Sequence, residues 1–196
     1  ITGSIFSSQF HLDEIVNKDN FISDFTVKGN IEYHQSKQFI YKLGFEQKTM
    51  HGKYQQDFPN GAVDVDARRY LYTVYGQTNW RPNENWDIEA GLRYDYFDSP
   101  RDYQFIDPRL SAKYRLNETT NLKASAGRYH QYVHRIPRTF FASIWTTTDQ
   151  YQKASEAYHF ITGFEKTLND VYQIEIETYY KKYNSIYTLN RFLVTD

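Results

Sequence analysis

Residues 85–97 carry the sequence NWDIEAGLRYDYF, in which apolar and polar side chains alternate. Apolar residues occupy the even positions from 86 to 96, whereas the four charged residues, Asp87, Glu89, Arg93 and Asp95, are all at odd positions. A period of two is typical of a β-strand with one apolar and one polar face. A slip of one residue would turn every charge onto the apolar side, so the pattern specifies the register strongly.

The same period recurs along most of the chain. It is regular in 106–116 and 171–180 and less regular in 24–34, 38–48, 68–80 and 120–131, with weaker candidate strands in 1–11 and 157–168. We therefore expect an all-β protein of about nine antiparallel strands, most of them about 10–13 residues long. Strands of soluble proteins are typically about 5–6 residues long, whereas a strand tilted across a bilayer needs about 9–11. Strand length thus favours a membrane protein.

The connections between these strands alternate in length. Tight polar turns are predicted at 35–37, 81–84, 117–119 and 169–170, because these stretches contain Asn, Asp, Ser and Pro residues. Longer connections are predicted at 12–22, 52–66, 98–105 and 132–156. Strict alternation places all the short turns at one end of the sheet and all the long connections at the other.

Aromatic residues make up 18% of the chain, and their placement follows the predicted turns. Trp80, Trp86, Tyr114 and Tyr172 lie close to the short turns, whereas Tyr94 and Tyr96 lie towards the long-connection end. Outer-membrane barrels carry a girdle of aromatic side chains at each membrane interface. We therefore expect these six residues to be interface aromatics.

Composition excludes several classes of protein. The mean hydropathy is -0.77 and no run of 18 apolar residues occurs, which excludes a transmembrane helix but not a transmembrane strand. The net charge of -1 makes a nucleic-acid partner unexpected. There is no cysteine, so neither a disulfide scaffold nor a cysteine-ligated metal site can form. A soluble antiparallel sandwich or propeller remains the alternative architecture, since it also places apolar residues on one face.

Four stretches together resemble the barrel of TonB-dependent outer-membrane receptors. They are YTVYGQTNWRPNENW at 72–86, WDIEAGLRYDYF at 86–97, IDPRLSAKYRLNETTNLKASAGRYHQ at 106–131, and YHFITGFEKTLNDVYQIEIETYYKKYNSIY at 158–187. The resemblance covers roughly residues 65–190. It implies a plugged transmembrane β-barrel of about 22 strands, of which residues 1–196 supply part of one barrel domain. The plug domain and the remaining strands are expected to lie outside this sequence.

The function implied by the resemblance is that of the whole receptor. It is the import of a scarce nutrient (a ferric siderophore, vitamin, glycan or peptide) across the outer membrane. The implied partners are the TonB energy-coupling complex, through a region outside this chain, an extracellular small-molecule or oligomeric ligand and outer-membrane lipid. In the glycan-importing branch of the family, a surface lipoprotein also caps the barrel. A passive porin or structural barrel is the first alternative, and a soluble β-rich binding module is the second.

The connection at 132–156 is the strongest candidate for ligand capture. It is long and combines cations with aromatic residues, and long loops carry function more often than tight turns do. Its candidate residues are Arg135, Arg138, Phe140, Phe141, Trp145 and Tyr151. The alternative is that these side chains pack the connection onto the barrel rim.

Further candidates lie on the polar face of the strands, towards the long connections. They are Arg93, Asp95, Arg109, Tyr129, Gln131 and His159. Their alternative role is hydrogen bonding to the plug or to each other.

No constellation typical of an enzyme occurs, so neither catalysis nor a cofactor is expected. Glu175 and Glu177 share one strand face, but such pairs more often line a wet lumen than act as acid and base. His130 and His134 straddle a strand end and a loop, so they are not expected to bind a metal as a helical pair would. Asn117-Glu118-Thr119 has the spelling of a glycosylation site, although turn formation explains the asparagine better.

Overall fold

The computed structural model describes residues 2–12, 18–58, 61–136, 144–148, 153–169 and 171–185. These residues form eleven strands: β1 Thr2–Leu12, β2 Lys18–His34, β3 Phe39–Phe58, β4 Gly61–Trp80, β5 Trp86–Asp98, β6 Tyr103–Asn117, β7 Thr120–Gln131, β8 Val133–Ile136, β9 Ile144–Thr147, β10 Ser155–Leu168 and β11 Tyr172–Asn184. Within these ranges, no helix is long and apolar enough to cross a membrane.

Nine of the strands form one antiparallel sheet in the order β1-β2-β3-β4-β5-β6-β7-β10-β11. Each strand pairs with its predecessor and successor, except that β8 and β9 form a separate hairpin between β7 and β10. The described part of the sheet is not closed: β1 and β11 are its two edges. The predicted all-β, antiparallel architecture of about nine strands is confirmed.

Cross-strand register sorts the side chains onto two faces. One face, here called the apolar face, carries Leu43, Val74, Leu92, Ile106 and Leu110 in neighbouring strands. Each of these side chains is more than half exposed. The opposite face, here called the polar face, carries the charged residues that alternate with them. An exposed apolar surface of this extent requires a cover other than water.

Three of the four predicted long connections are shorter than expected. Strands β3 and β4 pair continuously, from Phe39 opposite Trp80 to Phe58 opposite Gly61. Most of 52–66 is therefore a hairpin rather than a loop. Likewise, β2 begins at Lys18, and only residues 99–102 separate β5 from β6. The extension of β3 and β4 is held by backbone pairing and by polar cross-strand contacts, His51 to Asp66 at 2.8 Å and Gln55 to Asp64 at 3.2 Å. Because these contacts are polar, the apolar alternation that marks the lower strands is missing there.

The short turns at 35–38, 81–85 and 117–119 are closed by side-chain oxygens that accept backbone hydrogen bonds. Ser36 Oγ accepts from the amides of Gln38 and Phe39, and Asn83 Oδ1 accepts from those of Asn85 and Trp86. Asn117 Oδ1 accepts from the amide of Thr119 at 3.1 Å, which is the turn role expected for this asparagine. These contacts fix the registers of the hairpins that they close.

Candidate functional site

A buried polar network lies on the polar face of β4 and β5, towards the long-connection end. Its centre is the Asp95 carboxylate, which is only 2% exposed. It accepts hydrogen bonds from Thr73 Oγ1 at 2.5 Å, Arg93 Nε at 2.9 Å and Tyr132 Oη at 3.0 Å. Arg93 also donates to Thr73 Oγ1 at 2.9 Å. A buried charge is tolerated only when it is paired and hydrogen-bonded, and Asp95 meets both conditions.

Beside this network, Asp107 and His130 form a second buried pair. His130 Nδ1 lies 2.7 Å from Asp107 Oδ1, and both side chains are almost inaccessible. A carboxylate only accepts, so the imidazole donates through Nδ1. The His130 ring also stacks on Phe105, with centroids 3.7 Å apart. At this end, the last paired residues of β6 and β7 are Arg109 and Gly127. The contact between Asp107 and His130 therefore links the two strands beyond their backbone pairing.

An apolar cluster covers these polar groups on the same face. It consists of Met50, Leu71, Phe97, Tyr103, Tyr132 and Ala154, with Phe105 and Val133 packed against it. The Tyr132 ring stacks on Phe97 with centroids 4.8 Å apart. Tyr132, Val133 and Ala154 belong to the connection between β7 and β10, so the two ends of that connection fold onto the sheet. The cluster therefore joins the connection to the wall.

A cavity of about 390 Å³ opens between this wall and the start of the connection. Its charged lining is mixed, with Asp24 and Glu46 opposing Lys48 and Arg93, and the remaining lining residues are Ile22, Met50, Leu71, His130, Gln131, Tyr132 and Val133. The cavity thus combines apolar surface with both signs of charge, as ligand pockets often do.

Three of the predicted residues form a stack farther along the polar face. The Arg109 guanidinium lies 4.6 Å from the centroid of the Tyr129 ring, and the Tyr129 and His159 rings are 4.6 Å apart. Tyr129 lies over Gly127, where an added Cβ would meet its ring at 2.9 Å. The stack presents a cation and two flat rings on the polar face.

The structure places the other predicted ligand residues as follows. Arg93 and Asp95 bond to each other within the buried network, which is the alternative role considered for them. Gln131 is exposed and donates to the Val133 carbonyl at 2.7 Å. Arg135 and Trp145 are paired in the backbone of the β8–β9 hairpin, but their side chains lie outside the described residues, as do Arg138, Phe140, Phe141 and Tyr151 altogether.

Sequence reasoning missed Tyr132, Thr73 and Asp107 as site residues. Asp107 had a usable signal, since it lies on the charged side of the 106–116 pattern. Thr73 lies in a stretch that looks apolar on both faces. Tyr132 follows the last residue of β7, and no local pattern shows that its hydroxyl reaches Asp95.

The six predicted interface aromatics lie on the apolar face, at two levels. At the short-turn end, the ring centroids of Trp86 and Tyr114 are 4.6 Å apart. The Trp80 ring stacks on the Phe39 ring with centroids 6.0 Å apart, and Tyr172 is exposed. At the other level, the Tyr96 and Tyr72 ring centroids are 6.3 Å apart, and Tyr96 lies two residues beyond Tyr94 on the same face. The two levels bracket the exposed aliphatic residues.

A charge ladder occupies the polar face at the short-turn end. Lys123 Nζ lies 2.8 Å from a Glu165 oxygen and 2.7 Å from a Glu175 oxygen, and Lys113 lies 3.7 Å from Glu165. Glu175 is thus a partner of Lys123. Within the described ranges, no group of three or more His, Cys, Asp or Glu residues is arranged to hold a metal ion.

The sequence matches one family model over nearly its whole length. This family is described as TonB dependent receptor-like, beta-barrel, and the match covers residues 3–195. No curated protein sequence is significantly similar to the chain.

Solved structures with a similar fold include three receptors. A variant of the ferric enterobactin receptor of Pseudomonas aeruginosa is 15% identical with a TM-score of 0.63, and the alignment covers 84% of this chain and 27% of that one. The ferric yersiniabactin uptake receptor of Yersinia pestis is 12% identical with a TM-score of 0.59, covering 85% and 29%. The alcaligin outer-membrane receptor of Bordetella pertussis is 14% identical with a TM-score of 0.57, covering 86% and 30%. The chain thus spans less than a third of the length of these receptors.

Proposed function

The chain belongs to the family of TonB-dependent receptor β-barrels, and we propose that it forms part of the wall of an outer-membrane receptor that imports a scarce nutrient. The observation that carries this proposal is the family match over residues 3–195 on an open, nine-stranded antiparallel sheet. In this proposal, residues 1–196 belong to one barrel domain, and the plug and the other strands lie outside them.

The height of the apolar face supports a position in the membrane. Trp86 and Tyr96 mark its two levels on β5, ten positions apart. At about 3.4 Å per residue, this is about 34 Å along the strand, and a strand tilt of about 40° reduces it to about 26 Å along the barrel axis. The apolar band of outer-membrane barrels is about 25 Å tall. Outer-membrane lipid is therefore the proposed partner of this face.

The polarity of the β3–β4 hairpin supports an aqueous environment beyond that band. On the side that carries Val74 and Tyr72 lower in β4, the upper positions carry Arg68, Asp66 and Asp64, all exposed. The apolar face thus becomes polar above Tyr70. In the proposed orientation, the short turns face the periplasm and this hairpin rises from the cell surface.

For the cargo, we propose a ferric siderophore. Three structural neighbours are named as receptors for ferric enterobactin, ferric yersiniabactin and alcaligin. Such chelates present aromatic or anionic oxygen-rich surfaces, which the Arg109–Tyr129–His159 stack and the cations around the cavity can contact. Vitamins, glycans and peptides are the alternative cargoes.

Import through a plugged barrel requires energy, which the family takes from TonB. The contact with TonB is proposed for a region outside this chain. A surface lipoprotein that caps the barrel, as in the glycan-importing branch of the family, is an additional proposed partner. Membership of a receptor family supports the expectation that the protein is not an enzyme.

A strain that lacks the gene, compared with the strain complemented with the full-length gene, tests the proposal. We expect uptake of radioactive iron from a panel of ferric siderophores to fall in the deletion strain. The loss should be reproduced by removing TonB alone, whereas diffusion through a porin would continue without TonB. Unchanged uptake across ferric siderophores, vitamins, glycans and peptides would contradict the proposal. A large open-channel conductance of the intact full-length protein in planar bilayers would favour the porin instead.

A further inference from the structure

The connection between β7 and β10 folds across the polar face rather than away from it. Its β9 strand lies against β2 and β3, although the connection leaves the sheet at the end of β7. Four inter-strand steps separate β3 from β7, which is about 19 Å at about 4.8 Å per step. The β8–β9 hairpin therefore reaches back across the sheet as far as β2 and β3.

Tyr132 holds the base of this connection. It is 6% exposed, its ring stacks on Phe97, and its hydroxyl donates to Asp95 Oδ2 at 3.0 Å. Its carbonyl accepts from the amide of Thr148 at 2.7 Å, which ties the returning end of the hairpin to the outgoing end. One residue thus contacts the wall by its side chain and closes the hairpin by its backbone.

The direction of the bond between Tyr132 and Asp95 is fixed. Burial and the neighbouring carboxylate of Asp95 raise the pKa of the Tyr132 hydroxyl, so the hydroxyl remains protonated and donates. The other oxygen of Asp95 is already bonded to Thr73 and Arg93. If the hydroxyl left, Asp95 Oδ2 would lose its donor, and a hydrogen bond to a charged group is stronger than one between neutral groups.

We propose that Tyr132 and Asp95 form a latch that holds the β8–β9 hairpin inward over the polar face, so that the hairpin is a built-in wall of the binding cavity before any cargo arrives. The identification of the cavity as a binding site rests on the proposed function, whereas the latch does not. Both are positioning residues. Tyr132 and Val133 line the cavity from the connection side, opposite Met50 and Leu71. Opening the latch removes that side.

The test uses the purified full-length receptor in detergent, without cargo. Trypsin cleaves after Arg135, within β8, and after Lys153, between β9 and β10, and the fragments are identified by mass spectrometry. Tyr132→Phe removes only the hydroxyl that reaches Asp95, and we expect it to raise the cleavage rate at these bonds by about tenfold or more. Tyr94→Phe is the matched control. It also removes one tyrosine hydrogen bond, to Gln104 at 3.0 Å on the apolar face, and should leave the rate unchanged.

A double-mutant cycle separates a latch from a general loss of structure. Asp95→Ala should also raise cleavage, and the Tyr132→Phe/Asp95→Ala double variant should be cleaved no more than about twofold faster than Asp95→Ala alone, because each change removes the bond between Tyr132 and Asp95. Additive effects of the two changes would overturn the latch, as would an unchanged rate in Tyr132→Phe. The gel shift on heating, which reports the folded barrel, should be the same in every variant.

Hydrogen exchange of the unmodified receptor is the second measurement, which does not depend on any variant folding. Because the Thr148 amide donates to Tyr132, it should exchange at least about a hundredfold more slowly than an unstructured amide. Exchange of residues 144–148 at the unstructured rate would overturn the proposal. Both measurements are made without cargo, so their failure would leave the uptake result standing, and a failed uptake assay would leave the latch intact.

Discussion

Replacing Leu110 with Arg should destabilise the folded barrel, whereas the same change at Leu116 should be tolerated. Both leucines lie on β6 and are almost equally exposed, at 53% and 56%. They differ in their position relative to the apolar band. Leu110 lies four positions above Tyr114, which marks the short-turn level, and Leu116 lies below it, beside the turn at Asn117.

The difference in free energy follows from depth. Four residues at about 3.4 Å, on a strand tilted by about 40°, place Leu110 about 10 Å above the Tyr114 level. The apolar band is about 25 Å tall, so Leu110 is within a few ångströms of its midplane. Arg costs about 2–4 kcal/mol at the midplane and about 0–1 kcal/mol near an interface. The folded-to-unfolded ratio should therefore fall by about 30-fold or more in Leu110→Arg and change little in Leu116→Arg.

The assay is refolding of the full-length receptor into phospholipid vesicles across a guanidinium series, with the folded fraction read from the heat-dependent gel shift. Leu110→Met is a volume-matched control that keeps the side chain apolar, and it should fold like the parent protein. If the apolar face met water, both arginine substitutions would stay within about 0.5 kcal/mol of the parent. Equal effects of the two would therefore refute the membrane position of this face.

Three further predictions concern packing, charge and pH. Gly44→Ala should destabilise the barrel by about 1–3 kcal/mol, because its Cβ would overlap the Tyr75 ring; Gly52→Ala, where nothing lies within 4 Å, is the control, and equal melting temperatures would contradict the packing. Lys123→Met should leave the two glutamates of β10 and β11 without their shared cation and lower stability by about 1 kcal/mol in dilute salt; a loss that does not shrink in 1 M salt would argue against an electrostatic cause. Burial lowers the pKa of His134 below its ordinary value, so the neutral form stabilises the connection, and this stability should be lost as the pH falls from about 6.5 through the lowered pKa. Hydrogen exchange in residues 144–148 should then be faster at pH 5 than at pH 7 after correction for the intrinsic rate, and His134→Gln should abolish that difference.

The strands of the sheet between its short-turn end and the level of Thr73 and Asp95 were predictable, because one physical pattern dictates them. Where one face meets apolar surroundings and the other meets polar ones, alternation reveals both the strand and its register. The prediction of 85–97 therefore differs from the observed Trp86–Asp98 by one residue at each end. The upper β3–β4 hairpin lacks that contrast. Its stretch QQDFPNGAVDVD at 55–66 contains turn-forming residues and no continuous apolar row. Backbone pairing and polar cross-strand contacts extend the strands there.

The candidate site was predictable only in part, because its contacts are not local. Arg93 and Asp95 stand out as charges on the polar side of a strand. Tyr132 does not stand out, since 37 positions separate it from Asp95 and only folding of the connection brings them together. The roles of the loop residues in ligand capture remain predictions, as do those of Arg109, Tyr129 and His159.

The latch lies at the level where the polar and apolar faces of the sheet change places. Below Thr73 and Asp95, the polar face is charged and the apolar face is covered with aliphatic side chains. Above them, the same two faces are reversed: Leu71 and Phe97 are buried on the former polar side, whereas Arg68 and Asp66 are exposed on the other.

Apolar side chains on the inner side can be buried only if something folds over them, since no lipid reaches that side of a barrel wall. The ends of the β7–β10 connection supply this cover through Tyr132 and Ala154. Covering the cluster also buries Asp95, the last charged residue before the reversal on β5. A buried carboxylate needs hydrogen-bond donors, and the cover itself brings one, the Tyr132 hydroxyl. The apolar cluster and the hydrogen bond therefore depend on each other, because the cover that buries one also completes the other.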